Sequence, residues 1–206
     1  MSTQPISDVV ISRLPLYLRT LEFLEKEGRQ VTSSQELATR LGFSSAQIRK
    51  DLSYFGEFGK QGTGYAIPFL QSKLREILNI DHLWEVGVIG AGDLGRALVH
   101  YQGFAAQGFR IVAIFDDAPK KIGMAVGALT VQSMGEVARV VRESKLQIMI
   151  LAVPAQVAQA VANQLVELGV RAILNYAPIT LSVPAAVRVY YLDPVVGLQS
   201  MAYYLK

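Results

Sequence analysis

The sequence contains no cysteine. Disulfides, thiolate metal sites, thiol catalysis and thiol redox sensing are therefore excluded together. Histidine is nearly as scarce. His82 and His100 are the only two among 206 residues, which argues against a histidine-built metal site and leaves few groups for proton transfer. Charged residues are sparse at 18%, against 51% hydrophobic, so long disordered tails are not expected. No apolar run is long enough to span a bilayer. The opening MSTQPISDVVISRLPLYL is broken by Pro5, Asp8, Arg13 and Pro15, where a signal peptide would keep a continuous apolar stretch. The expectation is a cytoplasmic protein with no membrane partner and no metal. A net charge of +3 permits a local basic patch without requiring one.

What is present falls into two parts, and the length is comfortable for two domains. Helical periodicity dominates up to about residue 80. A helix is predicted from residue 12 or 15 to residue 26, with Leu14, Leu18, Leu21 and Leu24 as its apolar stripe. Pro15 suits its first turn, and Gly28 supplies a stop. Ser33 with Glu36, and Ser44 with Gln47, have capping-box spacing, and Gly42 lies between them. Two short helices follow, at residues 34–41 and 45–55, joined by a tight turn in helix-turn-helix fashion. The stretch GEFGKQGTGYAI then reads as a hairpin wing, and a helix at 69–78 closes the domain.

From Trp84 onward strands and helices alternate. Strands are predicted at residues 85–89, 109–115, 129–131, 148–153, 172–174 and 188–192. Helices are predicted at 94–107, 135–144, 155–168 and 194–205. Nearly continuous apolar strands separated by helices imply an α/β domain with a parallel sheet covered on both faces. The predicted organisation is a winged-helix domain at 1–80, a Rossmann-like domain at 81–192 and a C-terminal helix at 193–206.

Between the first strand and first helix of the second domain, VGVIGAGDLGRAL places Gly90, Gly92 and Gly95 in the G-x-G-x-x-G fingerprint. The first glycine permits the tight turn, the second lets a pyrophosphate approach the backbone, and the third allows close helix packing. The helix start offers free N–H groups and a favourable dipole to phosphates. Asp116 ends the second strand, in IVAIFDDAP, where a carboxylate can accept from adenosine ribose hydroxyls and repel the 2′-phosphate of NADP. No tyrosine has a lysine four residues later, and no histidine follows the apolar fourth strand. No catalytic residue is assigned; the site is built to bind rather than to react.

On the second short helix, Ile48, Leu52 and Phe55 cluster on one side at about 100° per residue. The opposite side presents Ala46, Lys50 and Ser53, flanked by Gln47, Arg49 and Tyr54. The cations can meet phosphates or guanine edges, and Gln47 or Ser53 can hydrogen-bond bases. A solvated helix face has the same composition; the adjoining glycine-rich stretch with Lys60 and Tyr65 favours DNA.

The segments ISRLPLYLR, SSAQIRKDLSYFGEFGKQGTGY, VGVIGAGDLGRAL, FDDAPKKIG, LAVP and LNYAP occur in the order found in the Rex redox-sensing repressors, which the chain resembles over nearly its whole length. The resemblance implies a homodimer that binds double-stranded operator DNA, senses NADH against NAD+, and swaps its C-terminal helix into the partner subunit. It implies DNA contacts by Arg49, Lys50, Ser53 and Tyr54, and by a wing of Lys60, Gly62, Thr63, Gly64 and Tyr65. For the cofactor it implies Gly90, Ala91, Gly92, Asp93, Leu94, Gly95, Asp116 and Asp117, with Tyr101, Val153, Pro154, Asn175, Ala177 and Pro178 on the nicotinamide side. Arg19 and Asp193 correspond to a pair linking the domains in the DNA-competent state.

Three positions depart from the family pattern. Gln61 replaces the usual wing arginine, Ala118 the second acid of Asp-x-Asp-Pro, and Pro194 an aromatic residue after the aspartate. Two alternatives remain at this stage. One is an NAD-dependent oxidoreductase with a helical N-terminal extension, which needs a general acid the sequence does not show. The other is a regulator that binds a nucleotide or coenzyme A.

Overall fold

Ser7 opens the first helix, its hydroxyl accepting from the Val9 N–H at 3.3 Å. In this computed structural model, which describes residues 6–59 and 64–205, the chain divides between His82 and Leu83 into two units. Helix α1 spans Asp8–Lys26 and is longer than its sequence signals suggested. Pro15 lies inside it rather than in its first turn, because Ser7 and Asp8 supply the cap and the acidic start one turn earlier than expected.

The rest of the first unit comprises β1 (Val31–Thr32), α2 (Ser34–Leu41), α3 (Ser45–Ser53), β2 (Tyr65–Ala66) and α4 (Ile67–Ile77). Both caps form by half. Ser33 Oγ accepts from Glu36 N, and Ser44 Oγ from Gln47 N, each at 3.1 Å. The reciprocal side chains go elsewhere: Glu36 accepts from Thr32 and Arg29, and Gln47 donates to Asp51. Gly42, at φ +70°, ends α2 in the left-handed conformation that glycine adopts at least cost. Leu14, Tyr17, Leu21 and Leu24 of α1 pack with Leu37, Ile48, Ile67, Leu70 and Leu74, all fully buried. Each large aliphatic side chain buried this way stabilises the unit by about 1.5–3 kcal/mol.

The expected hairpin is not the observed pairing. β2 runs antiparallel to β1, with Thr32 opposite Tyr65 and Val31 opposite Ala66, so its partner precedes the helix-turn-helix. Residues 56–59 form no strand. Lys60, Gln61, Gly62 and Thr63, the tip of the expected wing, lie outside the described residues.

The second unit is a seven-stranded sheet in the order β5-β6-β4-β3-β7-β8-β9. These strands are β3 (Trp84–Ile89), β4 (Phe109–Asp116), β5 (Ala125–Val126), β6 (Leu129–Ser133), β7 (Ile148–Leu151), β8 (Ala172–Asn175) and β9 (Arg188–Tyr191). All neighbours are parallel except the β5–β6 pair. The six parallel strands follow the doubly-wound order, whose reversal falls between β3 and β7. Alternate residues feed opposite faces: Val88, Ile114 and Ile150 belong to one core, Ile89, Phe115 and Leu151 to the other.

Helices α5 (Asp93–His100), α6 (Gly103–Ala106), α7 (Val137–Glu143), α8 (Ala155–Glu167) and α9 (Pro194–Ala202) complete the unit. The single helix expected at 94–107 is thus two. Tyr101 turns extended at the break and its ring lies over Gly103, where a Cβ would come within 2.4 Å of it. No residue of α9 is buried.

Candidate functional site

In the second unit, the β3–α5 turn builds one wall of a cleft of about 500 Å³, within the range of small-molecule sites. It opens at the carboxyl ends of β3, β4 and β7, where the strand order reverses and open α/β sheets bind ligands. Gly90, at φ +102°, makes the turn, and a Cβ there would sit 2.3 Å from the Ala152 oxygen. A Cβ on Gly95 would fall 1.8 Å from the Gly90 oxygen, so α5 seats directly on the turn. A Cβ on Gly92 would meet nothing, because that position faces open space at the helix start. No side chain caps α5, and Gly92, Asp93 and Leu94 at its start line the cleft. An uncapped helix N-terminus beside a glycine with open space fits a diphosphate.

Asp116 is nearly fully buried at the end of β4. Its Oδ2 accepts from the Ala91 N–H at 2.7 Å and from Lys121 Nζ at 2.9 Å, and its Oδ1 from the Ala118 N–H at 2.9 Å. Burial would raise its pKa; the Lys121 ammonium and the two N–H donors outweigh that and hold the carboxyl below the usual value. A carboxylate offers about four lone-pair sites, so room remains for roughly one further donor. The acid expected to meet the ribose therefore also ties down the glycine turn.

Gly90, Gly92, Asp93, Leu94, Asp116, Asp117, Val153 and Pro154 line the cleft, as do Lys121, Met134 and Ala152, which sequence reasoning did not single out. Lys121 was signalled by the basic pair following the acids of FDDAPKK. Ala91 serves through its backbone, and Asp93 is engaged by Arg96 at 2.6 Å. Tyr101, Asn175, Ala177 and Pro178 are not on the cleft wall. Tyr101 is 62% exposed and meets Phe104 edge-on. Asn175 is buried with its amide spent on its own loop: Nδ2 donates to the Ala177 and Ile179 oxygens, and Oδ1 accepts from Ala177 N, each at 3.0 Å. Those bonds shape the loop that carries Ala177 and Pro178. His100 is exposed and bonds the Arg96 carbonyl of its own helix.

In the first unit, α3 exposes Ala46, Arg49, Lys50, Ser53 and Tyr54, while Ile48 and Leu52 are buried. Arg49 is steadied by Ser34 Oγ at 3.1 Å, and Ser53 Oγ donates back to the Lys50 carbonyl at 2.8 Å. Gly64 and Tyr65 have structural tasks. A Cβ on Gly64 would lie 2.3 Å from the Thr32 oxygen, and the half-buried Tyr65 ring packs against the unit's core.

Asp51 is the surprise of this helix, being fully buried. It accepts from Arg13 Nε at 2.6 Å and Nη2 at 2.8 Å, from Tyr17 OH at 2.6 Å, and from Gln47 Nε2 at 2.7 Å. Burial opposes its charge, but these donors outweigh it and its pKa lies below the ordinary value. Burial, and then the bond to Asp51, push the Tyr17 phenol up.

The two residues of the expected linking pair have local partners in their own units. The Arg19 guanidinium lies 5.9 Å from the Phe23 ring centre. Asp193 caps α9, its Oδ1 accepting from Val195 N at 2.9 Å. Among the described residues no cluster of metal-ligating side chains occurs, and no helix is long and apolar enough to cross a membrane.

Residues 5–53 match the family described as "Putative DNA-binding protein N-terminus", and residues 81–179 match "CoA binding domain". The chain is 54% identical over 198 residues to the redox-sensing transcriptional repressor Rex of Chloroflexus aurantiacus, covering 96% of this chain and 93% of that one. To the protein of the same name in Brevibacillus brevis it is 41% identical over 202 residues, 98% of each. Among solved structures it resembles RSP, a Rex-family repressor. The complex of RSP with β-NAD+ and operator DNA superposes with a TM-score of 0.93 at 37% identity, covering 98% of this chain and 94% of that one. The complex with β-NADH gives 0.89 at 35% identity, covering 98% and 95%.

Proposed function

The chain belongs to the Rex family of redox-sensing transcriptional repressors, and from that premise we propose that it is a cytoplasmic homodimeric regulator, not an enzyme, which leaves its operator DNA when NADH binds. The observation that carries this reading is the pairing, in one chain, of an exposed cationic helix-turn-helix face with a dinucleotide cleft that holds no histidine or cysteine. A dehydrogenase needs a general acid or base at the substrate carbon; among the described residues the titratable groups lining the cleft are Asp93 at the glycine turn and Asp116, Asp117 and Lys121 at and after the end of β4. The solved NAD+ and NADH complexes of RSP favour a nicotinamide dinucleotide over coenzyme A as the ligand.

The turn from Gly90 to Gly95 and the start of α5 would hold the pyrophosphate, and Asp116 the adenosine ribose. Val153 and Pro154 would flank the nicotinamide, with Tyr101, Ala177 and Pro178 approaching from beyond the cleft wall. The ligand supplies a charge difference, because reduction removes the positive charge of the nicotinamide ring. Differential affinity of two arrangements for the two ligand forms suffices to shift a dimer between them. Lys50, Arg49, Ser53 and Tyr54 would meet DNA, joined by Lys60, Gly62 and Thr63.

Helix α9 supports the dimer. Val195, Val196, Leu198 and Met201 are all more than half exposed, and apolar side chains gathered on one short helix mark an association surface. In the swapped dimer α9 would bury them on the partner subunit, with Arg19 and Asp193 linking the DNA-competent arrangement. The test is a mobility-shift titration of genomic fragments with and without NADH, read beside NADH absorbance. The expected result is release of a specific fragment with NADH unconsumed. Turnover of NADH, or retention of the DNA at saturating NADH, overturns the reading.

A further inference from the structure

Gln47 lies in the first turn of α3, the part of a recognition helix that reaches base edges. Its amide is not free to choose an orientation. Asp51 is an ionised, fully buried carboxylate and can only accept, so the end of Gln47 that lies 2.7 Å away must be the NH2. Asp51 is itself immobile, held by both guanidinium donors of Arg13 and by the buried phenol of Tyr17, two residues one turn apart on α1. The frame of α1 is thus transmitted through Asp51 to one side chain of α3.

We propose that Asp51 is a positioning residue for sequence recognition, and that the Gln47 it orients reads an adenine in the major groove. This rests on the reading of α3 as a DNA-binding helix. With one N–H committed to Asp51, Gln47 keeps Oε1 and a second N–H. That acceptor and donor together match N6 and N7 of adenine, the pairing by which glutamine reads that base. Guanine offers two acceptors at the same edge and leaves Oε1 facing another oxygen, so the fixed amide rejects it. Arg13 and Tyr17 never touch DNA in this scheme. They hold the carboxylate that holds the reader.

The test is affinity for a set of operator variants in which every base pair is replaced in turn, measured for the wild-type protein, Gln47→Ala, Asp51→Asn and Lys50→Ala. Gln47→Ala should lose discrimination at one base pair per half-site, the one where wild type prefers adenine by about 5–100-fold. Asp51→Asn can still accept from Arg13 but no longer fixes the amide. It should relax the same base pair and leave the ranking at all other positions intact. Lys50→Ala should act at a different position or on all sequences alike. A purely structural Asp51 predicts uniform loss across the set, and that pattern overturns the proposal. So does a wild-type preference unchanged in Gln47→Ala, or a preferred base other than adenine. NADH-sensitive binding that survives in Gln47→Ala with its preferences intact overturns this inference alone. Absence of any specific DNA binding by wild type overturns the function as well.

Discussion

Each unit of the molecule hides one carboxylate, Asp51 in the first and Asp116 in the second, and no other acid among the described residues is buried. Asp51 is satisfied wholly by side chains, from Arg13, Tyr17 and Gln47. Asp116 is satisfied by the backbone of Ala91 and Ala118 and by one ammonium, that of Lys121. The difference follows from what each acid must hold. A helix face is aligned by long side chains reaching from another helix. A glycine turn has no side chains to offer, so its backbone N–H groups are fixed by an acid brought to them.

Removing Asp51 should have the largest effect. Asp51→Ala leaves the Arg13 guanidinium and the Tyr17 phenol without their partner, a loss of about 3 kcal/mol for a broken buried pair. Trp84, the single tryptophan, lies in the second unit and reports on it separately. Helical circular dichroism in urea should therefore lose midpoint while the Trp84 fluorescence transition stays put; a joint shift would mean that the units unfold together. The same pair gives a pH signature. Both carboxyls lie below their ordinary values, so their contributions are present above the usual carboxylate range and are lost as pH falls through the folded values. Asp51→Asn should flatten the acid limb of the circular-dichroism curve and leave that of Trp84 unchanged.

Lys50→Ala should weaken operator binding by about 1–3 kcal/mol if the lysine reads a base, or lower the salt slope by about one if it meets a phosphate. Unchanged binding on all DNA removes α3 from the interface. In the second unit, Asp116→Ala should narrow the preference for NADH over NADPH by about 1–2 kcal/mol. Lys121→Ala should widen it by less than about 1 kcal/mol, because the lysine is partly exposed and offsets the acid's charge. Calorimetric titration of wild type and both variants with each cofactor checks both, and equal affinity for NADH and NADPH in wild type defeats the assignment of Asp116. The smallest effect belongs to Asp193→Asn, which keeps a capping oxygen and removes the charge. The melting temperature should hold. Operator affinity should fall by about 1 kcal/mol if the charge links DNA-competent units, and stay constant if Asp193 only caps α9.

Much of this was legible in the sequence because it is local. The caps at Ser33 and Ser44, the left-handed Gly42 and the glycine fingerprint each depend on residues within a few positions of one another. Spacing alone encodes such contacts. The burial of an acid in α3 is also written in its spacing. At about 100° per residue Asp51 falls roughly 40° from Phe55, on the side facing the core rather than on the solvated face. The Ser44–Gln47 spacing located the cap but not the destination of the glutamine amide.

What the sequence indicated by itself was the two short helices after α1, the glycine turn, and the alternation of strands and helices after Trp84. These follow from periodicity, caps and residue type. The tertiary structure alone decided that β2 pairs with β1 rather than with the residues just before it, and that Tyr101 interrupts a helix. It also decided that Asn175 spends its amide on its own loop, and that Asp51 meets partners 34 and 38 positions away. A hydrogen bond across that distance exists only once two helices have buried their apolar faces together. The sequence supplies the donors and the acceptor, but packing brings them within reach.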